Sequence, residues 1–237
     1  MVIPTFGREE VLVDTIQHLL ALTVRPAEIL IVDQSPSHHP ETTAALKNWD
    51  RAGSIRWIQL SQPSITGAMN CGLREASQPL VLFLDDDIEP ASGLCKAHEV
   101  AHNRNPKLWA TVGQVIQPWQ TAEAITATRR YRGLKRDFDF PFHSTLDDDV
   151  YNVMAGNLCV NRQRALSIGG FDENFVGAAF RFETEFSRRV SSAQGTIRFL
   201  GSAGILHLRV ASGGTRRSGS HLTSADPKHG IGDHYYA

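Results

Sequence analysis

Three consecutive carboxylates, Asp85, Asp86 and Asp87, follow the most apolar run of the sequence, Leu80–Leu84. Carboxylates this close together repel one another and resist burial unless a cation compensates their charge. Oxygen ligands of this kind suit Mg²⁺ or Mn²⁺, which commonly share their coordination with the phosphates of a substrate. The triplet therefore predicts a divalent metal site, although a solvated turn before a helix would also use aspartates.

A second pair of acids, Glu183 and Glu185, alternates with aromatic residues where a helix is expected to begin. A carboxylate held in partly apolar surroundings can take the proton from an attacking hydroxyl, so either residue is a candidate general base. Acids in the first turn of a helix are also stabilised by its dipole, so simple helix capping is the alternative.

Two further side chains could complete such a site. His207 follows a short apolar run, and its imidazole could join the aspartates as a metal ligand. Arg216 follows Gly213-Gly214-Thr215, so a mobile glycine loop could bring its guanidinium onto a phosphate. A structural histidine and a plain flexible loop are the alternatives for these two residues.

The segment His98-Glu99-Val100-Ala101-His102 matches the HExxH signature of zinc proteases. Its spacing places both imidazoles on one helix face, and Glu123 could supply a third ligand. The segment directly follows the aspartate triplet, and Glu123 is its only supporting feature. We therefore expect these histidines to be exposed helix residues, with a zinc hydrolase as a minor alternative.

The elements that must position these residues alternate between strands and helices through the first half of the chain. Apolar runs predict strands at 2–3, 28–33, 55–58 and 80–84. Helical periodicity predicts helices at 12–20, 42–49 and 65–76. This alternation indicates a mostly parallel sheet covered by helices on both faces, in which ligands bind outside the carboxyl ends of the strands. Those ends carry Pro4-Thr5, Asp33 and the aspartate triplet.

The second half is less regular, with strands expected near 157–160 and 196–200 and helices from about 162 and over 182–193. No internal repeat or linker divides the 237 residues, which favours one domain. The net charge of -1 gives no electrostatic reason to expect a nucleic acid partner. Three widely spaced cysteines without a CxxC pair favour a reducing, cytoplasmic compartment. Because the sequence opens inside its first strand, we expect it to be a fragment.

Taken in order, several segments resemble the family 2 inverting glycosyltransferases, which have the GT-A fold. In the first half the resemblance rests on Val2-Ile3-Pro4-Thr5-Phe6-Gly7-Arg8, the strand ending Val32-Asp33-Gln34-Ser35, Thr66-Gly67-Ala68-Met69-Asn70-Cys71-Gly72 and Phe83-Leu84-Asp85-Asp86-Asp87. In the second half it rests on Gly156-Asn157, Gly169-Gly170-Phe171-Asp172-Glu173 and Phe175. It implies a nucleotide-sugar-binding half over 1–115 and an acceptor-binding half over 116–237.

The resemblance also implies roles for individual residues. The implied nucleotide-sugar-binding residues are Pro4, Thr5, Asp33, Gly67, Asn70, Asp85, Asp86 and Arg216. Gly156 and Asn157 would lie on the acceptor side. Asp85 and Asp87 would form the DxD pair that holds the metal together with His207. Alignment of Phe186 and Arg189 with the family's pattern puts Glu183 at the catalytic base.

Four positions depart from the family pattern. Phe182 replaces the first acid of the expected Glu-Asp pair, and Glu183, one methylene longer, replaces the Asp. Gln34 replaces the second acid after the second strand, and Met69 replaces an arginine. These changes leave donor preference open and keep Glu185 as an alternative base.

The expected function is transfer of a hexose or deoxyhexose from a nucleotide-diphospho-sugar to a saccharide, lipid-linked or protein acceptor, with inversion and with Mn²⁺ or Mg²⁺ as cofactor. The resemblance associates this function with polysaccharide biosynthesis. A lipid-linked acceptor would be compatible with peripheral membrane association. The alternatives are a catalytically degenerate relative that binds nucleotide-sugar without turnover, and the zinc hydrolase.

Overall fold

The computed structural model describes residues 1–125, 140–210, 213–214 and 231–236. Nine strands are seen in these ranges: β1 (Val2–Thr5), β2 (Leu30–Asp33), β3 (Arg56–Gln59), β4 (Leu80–Leu84), β5 (Ile88–Pro90), β6 (Leu108–Ile116), β7 (Asp148–Val150), β8 (Asn157–Asn161) and β9 (Thr196–His207). The same ranges contain seven helices: α1 (Glu10–Leu20), α2 (Pro40–Arg51), α3 (Ile65–Glu75), α4 (Leu94–Arg104), α5 (Arg162–Ser167), α6 (Phe182–Ser192) and α7 (Ile231–Tyr236).

All nine strands belong to one sheet with the order β3-β2-β1-β4-β8-β6-β9-β5, and β7 pairs with β9 beside this path. The strands β3, β2, β1 and β4 pair in parallel, as expected from the alternation of strands and helices. From the second half, β8 enters antiparallel between β4 and β6, and β9 pairs in parallel with β6. The α/β class predicted from the sequence is confirmed, and both halves of the chain contribute to the same sheet.

The core lies on both faces of this sheet. Along β4, Val81 and Phe83 pack into one buried cluster, whereas Leu82 and Leu84 pack into the other. Side chains alternate between the two faces of a strand, so a strand that is apolar at every position must be covered on both sides. This arrangement explains why β4 is a continuous hydrocarbon run and why polar side chains begin only where it ends.

Four strands differ from the sequence-based expectation. The short strands β5 and β7 and the long strand β6 were not predicted, although β6 is apolar over most of its length. The strand β9 extends to His207, well beyond the predicted end near residue 200. The prediction stopped early because Gly201 and Gly204 interrupt the apolar pattern of the strand. A Cβ at Gly201 would lie 2.2 Å from the carbonyl oxygen of Thr145, so this glycine permits a close approach of backbone.

The HExxH histidines are buried, and the expectation that they are exposed was wrong. His98 Nδ1 lies 2.8 Å from Thr111 Oγ1, and its Nε2 lies 3.1 Å from Asn157 Oδ1. His102 Nε2 lies 3.3 Å from the same Thr111 hydroxyl. Burial lowers the pKa of both histidines to about 4, so they pack as neutral rings between α4 and the sheet. Glu123 joins no group of possible metal ligands in the described part of the chain.

Within the described ranges, no helix combines the length and the apolar character needed to cross a bilayer. Cys71, Cys95 and Cys159 are all free thiols.

Candidate active site

A cavity of about 630 Å³ lies outside the carboxyl ends of β1 and β4. This is where a sheet of this class is expected to bind its ligand. Its walls come from the ends of the strands, the turn before α3, the loop before α6 and the segment after β9. The lining residues are Pro4, Thr5, Phe6, Arg8, Gln34, Pro63, Ser64, Ile65, Asp85, Asp86, Asp87, Val176, Gly177, Ala178, His207, Gly214 and Ile231.

Two of the three aspartates and one histidine form a group suited to a metal ion. His207 Nε2 lies 3.1 Å from Asp87 Oδ1 and 3.6 Å from Asp85 Oδ2. One ligand atom from each of the three residues lies within 4.8 Å of the others, and no other such group of three is found among the described residues. Two carboxylates and one imidazole fit a hard divalent cation such as Mn²⁺ or Mg²⁺, and they leave room for water and phosphate oxygens.

The backbone and a buried arginine fix Asp87. Its Oδ2 accepts hydrogen bonds from the backbone N–H of Val210 at 2.9 Å and from Arg8 Nη2 at 3.2 Å, and its carbonyl accepts from the N–H of Leu208. Burial raises the pKa of Asp87, but the hydrogen bond and charge of His207, with the charge of Arg8, outweigh it and hold the pKa below its usual value. Asp87 is therefore held in its ionised form and in a fixed position, as a metal ligand must be.

Asp86, the middle residue of the triplet, lines the cavity and is bound by side chains that follow or belong to β1 and α1. Its carboxylate accepts from Thr5 Oγ1 at 2.7 Å and from Arg8 Nε at 3.1 Å, and its carbonyl accepts from Thr15 of α1. Burial raises the pKa of Asp86 to about 6, against the charge of Arg8. Asp86 thus ties the end of β4 to β1 and α1.

Asp85 is the most accessible of the three carboxylates, with 46% of its side chain exposed. Gly156 packs directly against it: a Cβ at this glycine would lie 2.3 Å from Asp85 Oδ2. The carbonyl of Gly156 also accepts from the N–H of Asp85 at 3.3 Å. Gly156, predicted to lie on the acceptor side, therefore borders the predicted metal site.

We expect Gly156→Ala to weaken Mn²⁺ binding roughly tenfold, because the added methyl group displaces the Asp85 carboxylate from its position beside His207. Manganese titration followed by electron paramagnetic resonance measures the effect. Gly93→Ala is the matched control, since the nearest atom to its new Cβ is 3.9 Å away. Equal manganese affinity in the two variants would contradict this reading of the Gly156 contact.

The two candidate bases have different surroundings. Glu183 Oε1 accepts a hydrogen bond of 2.5 Å from the N–H of Ala155, next to the glycine that contacts Asp85. Burial raises the pKa of Glu183 to about 7; the Ala155 hydrogen bond opposes this rise and the negative charge of Asp85 adds to it. Glu185 is held by Arg189 in a two-pronged salt bridge at 2.5 and 2.6 Å. Neither glutamate is among the residues that line the cavity.

The loop before α6 is held in an unusual backbone conformation. Ala179 and Arg181 have φ angles of +50° and +79°, a region that L-residues rarely adopt. The same loop supplies the cavity wall at 176–178 and leads directly into Glu183. Phe182 starts the helix, is buried, and packs on Phe171 with ring centroids 5.9 Å apart. The aromatic residue that departs from the family pattern is therefore a core residue here.

Several predicted site residues lie outside the cavity wall. Asp33 has 0% exposure, and its carboxylate accepts from Ser35 N and Trp57 Nε1 and contacts His38 Nε2 at 2.8 Å. The Asn70 side chain binds both the N–H and the carbonyl of Phe171, so it joins α3 to the second half of the chain.

Asn157 and Gly67 also serve the framework of the fold. The Asn157 amide donates to the carbonyls of Gln114 on β6 and Ala203 on β9. The N–H of Gly67 donates to Ser64 Oγ, the N-cap of α3. Among the predicted site residues, those that line the cavity are Pro4, Thr5, Asp85, Asp86, Asp87 and His207. Arg216 lies outside the described residues, although Gly214, two positions earlier, donates to the carbonyl of Phe6 at the cavity rim.

Sequence reasoning missed Arg8, which lines the cavity and pairs with two aspartates. It also missed Ser64 and the 176–178 wall. Three adjacent aspartates after a buried strand require a nearby cation, and Arg8 follows β1 within the segment that resembles the family. The small residues at 177–178 carry no chemical signal of their own.

Comparison with solved structures identifies the architecture. The chain superimposes on GalNAc-T7, solved with UDP, GalNAc and Mn²⁺, with a TM-score of 0.69 at 15% identity over 87% of this chain and 42% of that one. It also superimposes on the mannosyltransferase PcManGT from Pyrobaculum calidifontis, solved with GDP-Man and Mn²⁺, with a TM-score of 0.63 at 14% identity over 93% of this chain and 58% of that one. The fold is therefore GT-A.

Residues 1–167 match the family described as Glycosyl transferase family 2. This chain belongs to that family. It is 26% identical over 214 residues to the O-antigen biosynthesis protein RfbC of Myxococcus xanthus. The aligned region covers 82% of this chain but only 16% of that protein. The chain thus corresponds to a small part of this much longer relative.

Proposed function

We propose that this chain is an inverting glycosyltransferase that moves a sugar from a nucleotide-diphospho-sugar to an acceptor hydroxyl, assisted by Mn²⁺ or Mg²⁺. The observation that carries the proposal is the group formed by Asp85, Asp87 and His207 in the cavity wall. Glu183 is linked to this group through the backbone, because it accepts from the N–H of Ala155 and the next residue, Gly156, packs against Asp85. Membership of the family supports the same reaction class.

In this proposal each part of the site has a defined task. A divalent cation bound by Asp85, Asp87 and His207 would stabilise the charge on the departing nucleoside diphosphate. Pro4 and Thr5 would line the nucleoside end of the cavity, and Asp86 would hold the strand ends in place. Glu183 would accept the proton of the acceptor hydroxyl, which attacks the anomeric carbon from the face opposite the leaving group and so inverts it.

Glu183 is a better base than Glu185 for a structural reason. The pKa of Glu183 is raised to about 7, so near neutral pH this carboxylate can take a proton in one step and release it in another. Glu185 is committed to Arg189, and removing its negative charge would leave that guanidinium without its carboxylate partner.

The two similar solved structures contain UDP with GalNAc and GDP-mannose, respectively. By analogy we propose a hexose or deoxyhexose donor carried on a nucleoside diphosphate and a saccharide, lipid-linked or protein acceptor. The relative from Myxococcus supports a role in polysaccharide biosynthesis. We further propose a single catalytic domain with a donor half over 1–115 and an acceptor half over 116–237. A cytoplasmic location, with peripheral membrane association for a lipid-linked acceptor, is consistent with the three free cysteines.

Thermal unfolding with UDP, GDP, dTDP and their sugars, each with and without Mn²⁺, tests the proposal. A ligand at about 100 times its Kd stabilises the native state by about 2.7 kcal/mol. For a domain of this size, that corresponds to a shift of roughly 5–10 °C. We expect one nucleotide class to shift the midpoint, and only when Mn²⁺ is present.

Three other outcomes would count against the proposal. A folded sample that shifts with none of these ligands would contradict nucleotide-sugar binding. A shift without consumption of the donor in the presence of simple saccharides would favour the degenerate relative. A shift with Zn²⁺ alone would revive the zinc hydrolase, against the burial of His98 and His102.

A further inference from the structure

The ring of His207 is oriented by a residue that the sequence analysis did not consider. Gln117 Oε1 lies 3.1 Å from His207 Nδ1. An amide oxygen can only accept a hydrogen bond, so the Nδ1 atom must carry the proton in this contact. The opposite ring nitrogen, Nε2, then faces Asp85 and Asp87 at 3.6 and 3.1 Å.

The sheet places Gln117 beside His207. Ile116, the last residue of β6, pairs in parallel with Leu206 of β9, so Gln117 and His207 each directly follow a paired residue. The turn after β6 is closed by a hydrogen bond from the N–H of Gln117 to Gln120 Oε1 at 3.1 Å. The position of the Gln117 side chain is therefore set by backbone pairing on one side and by a closed turn on the other.

A second contact fixes the same turn to the segment that follows β9. The guanidinium of Arg209 lies 4.5 Å from the ring centroid of Trp119, a distance at which a cation and an indole attract each other. Residues 117 and 119 thus contact residues 207 and 209, respectively. In between, the N–H of Leu208 donates to the carbonyl of Asp87. The turn and the histidine form one connected unit around Asp87.

We propose that Gln117 is a positioning residue for the divalent metal: it fixes the rotation and tautomer of His207 so that Nε2 is directed at the cation. This inference rests on the metal site of the proposed function. Partners that accept a hydrogen bond from the distal nitrogen of a ligating imidazole typically change metal affinity by 10- to 100-fold when removed. Gln117 contacts the ring nitrogen that faces away from the proposed cation, so it acts on the metal only through His207.

The test is a Mn²⁺ titration of the whole chain, without nucleotide, followed by electron paramagnetic resonance of the free ion. Gln117→Leu keeps the approximate size of the side chain and removes the acceptor, and we expect manganese to bind 10- to 100-fold more weakly. Gln117→Glu restores an acceptor oxygen at the same reach, and its affinity should equal or exceed that of the original chain. Gln117→Asn has a side chain shorter by one methylene, so its oxygen does not reach His207 Nδ1. We expect its manganese affinity to be as low as that of Gln117→Leu, and it replaces Gln117→Leu in the test if that variant does not fold.

The matched control is Gln120→Glu, which adds the same negative charge to the same turn and still offers an oxygen to the N–H of Gln117. We expect its manganese affinity to stay within about twofold of the original, since it does not contact His207. Tightening by Gln120→Glu equal to that by Gln117→Glu would overturn the proposal, because charge alone would then explain the effect.

Equal affinity of folded Gln117→Leu and the original chain would also overturn it. Asp87→Asn separates this failure from failure of the metal site. If Asp87→Asn loses manganese while Gln117→Leu keeps it, the metal site stands and the role of Gln117 is wrong. If the original chain binds no Mn²⁺, both the inference and the metal-assisted function are wrong.

Discussion

Glu183→Gln is expected to reduce the rate of sugar transfer by about 10²- to 10⁴-fold while metal-dependent nucleotide binding stays unchanged. Glutamine has nearly the same shape, and its carbonyl oxygen can still accept from the N–H of Ala155, but it cannot take a proton. Glu183 does not line the cavity, so the donor should not sense the change. Initial rates of transfer and the donor Kd measure the two effects separately.

Glu185→Gln is the matched control for this experiment. It removes the salt bridge to Arg189 from the same helix turn, and we expect it to change the transfer rate by no more than a few fold. The opposite pattern, with transfer lost only in Glu185→Gln, would move the base to Glu185.

The pH dependence offers an independent check on the base. The base works in its deprotonated form and its pKa is about 7, so kcat/KM should rise about tenfold per pH unit below that value and level off above it. This limb should be absent from the residual activity of Glu183→Gln. A profile that is flat between pH 5 and 8 in the original chain would contradict the assignment.

The raised pKa of Glu183 also makes a prediction about stability. The folded pKa of about 7 lies above the ordinary 4.5, so the folded state binds more protons than the unfolded state between these two values. The free energy of unfolding therefore falls as the pH rises from about 4.5 through about 7. Glu183→Gln should remove this loss, so we expect it to be more stable than the original chain at pH 8, by up to about 3 kcal/mol, and equally stable at pH 4.

Asp87→Asn should abolish the Mn²⁺-dependent part of nucleotide binding. Its carboxylate has 2% side-chain exposure, lies 3.1 Å from His207 Nε2 and is held by two further donors, so it is the most fixed anion of the group. Asparagine keeps the shape but loses the charge that a divalent cation requires. We expect manganese affinity to fall by about 100-fold or more and the nucleotide-dependent shift in the unfolding midpoint to disappear.

The fold should survive this change, because Arg8 keeps its contact with Asp86. Asp14→Asn, an exposed position on α1, is the control for removing one negative charge. An unaltered nucleotide affinity in Asp87→Asn would show that the aspartate cluster serves the fold alone.

Local pattern was sufficient to predict the fold class and the edge of the sheet at which these polar residues gather. The alternation of apolar runs with helical segments places Thr5, Asp33 and Asp85–Asp87 at one edge of a parallel sheet, and β1, β2 and β4 confirm that arrangement. What local pattern could not predict was which way each side chain points. Arg8 binds both Asp86 and Asp87 within the protein, whereas Asp85 keeps 46% of its side chain exposed.

The second half was harder to predict because its contacts are distant in sequence. Asn157 and Asn70 belong to segments that resemble the family, but each joins backbone groups far away along the chain. His98 has the spacing of a zinc ligand, yet its partners Thr111 and Asn157 arrive from β6 and β8. Periodicity within one helix contains no information about such partners.

The pairing of β9 with β6 has a consequence for truncated forms of this protein. A chain ending at residue 167, where the family match ends, would keep β6 and β8 but lack β9, which pairs with β6 over most of its length. The long, apolar β6 would then be an open edge strand, a template for pairing with other molecules. Such a fragment would also lack Glu183 and His207. The end of the family match is therefore not a boundary at which the domain can be cut, and we expect expression of 1–167 alone to yield aggregates.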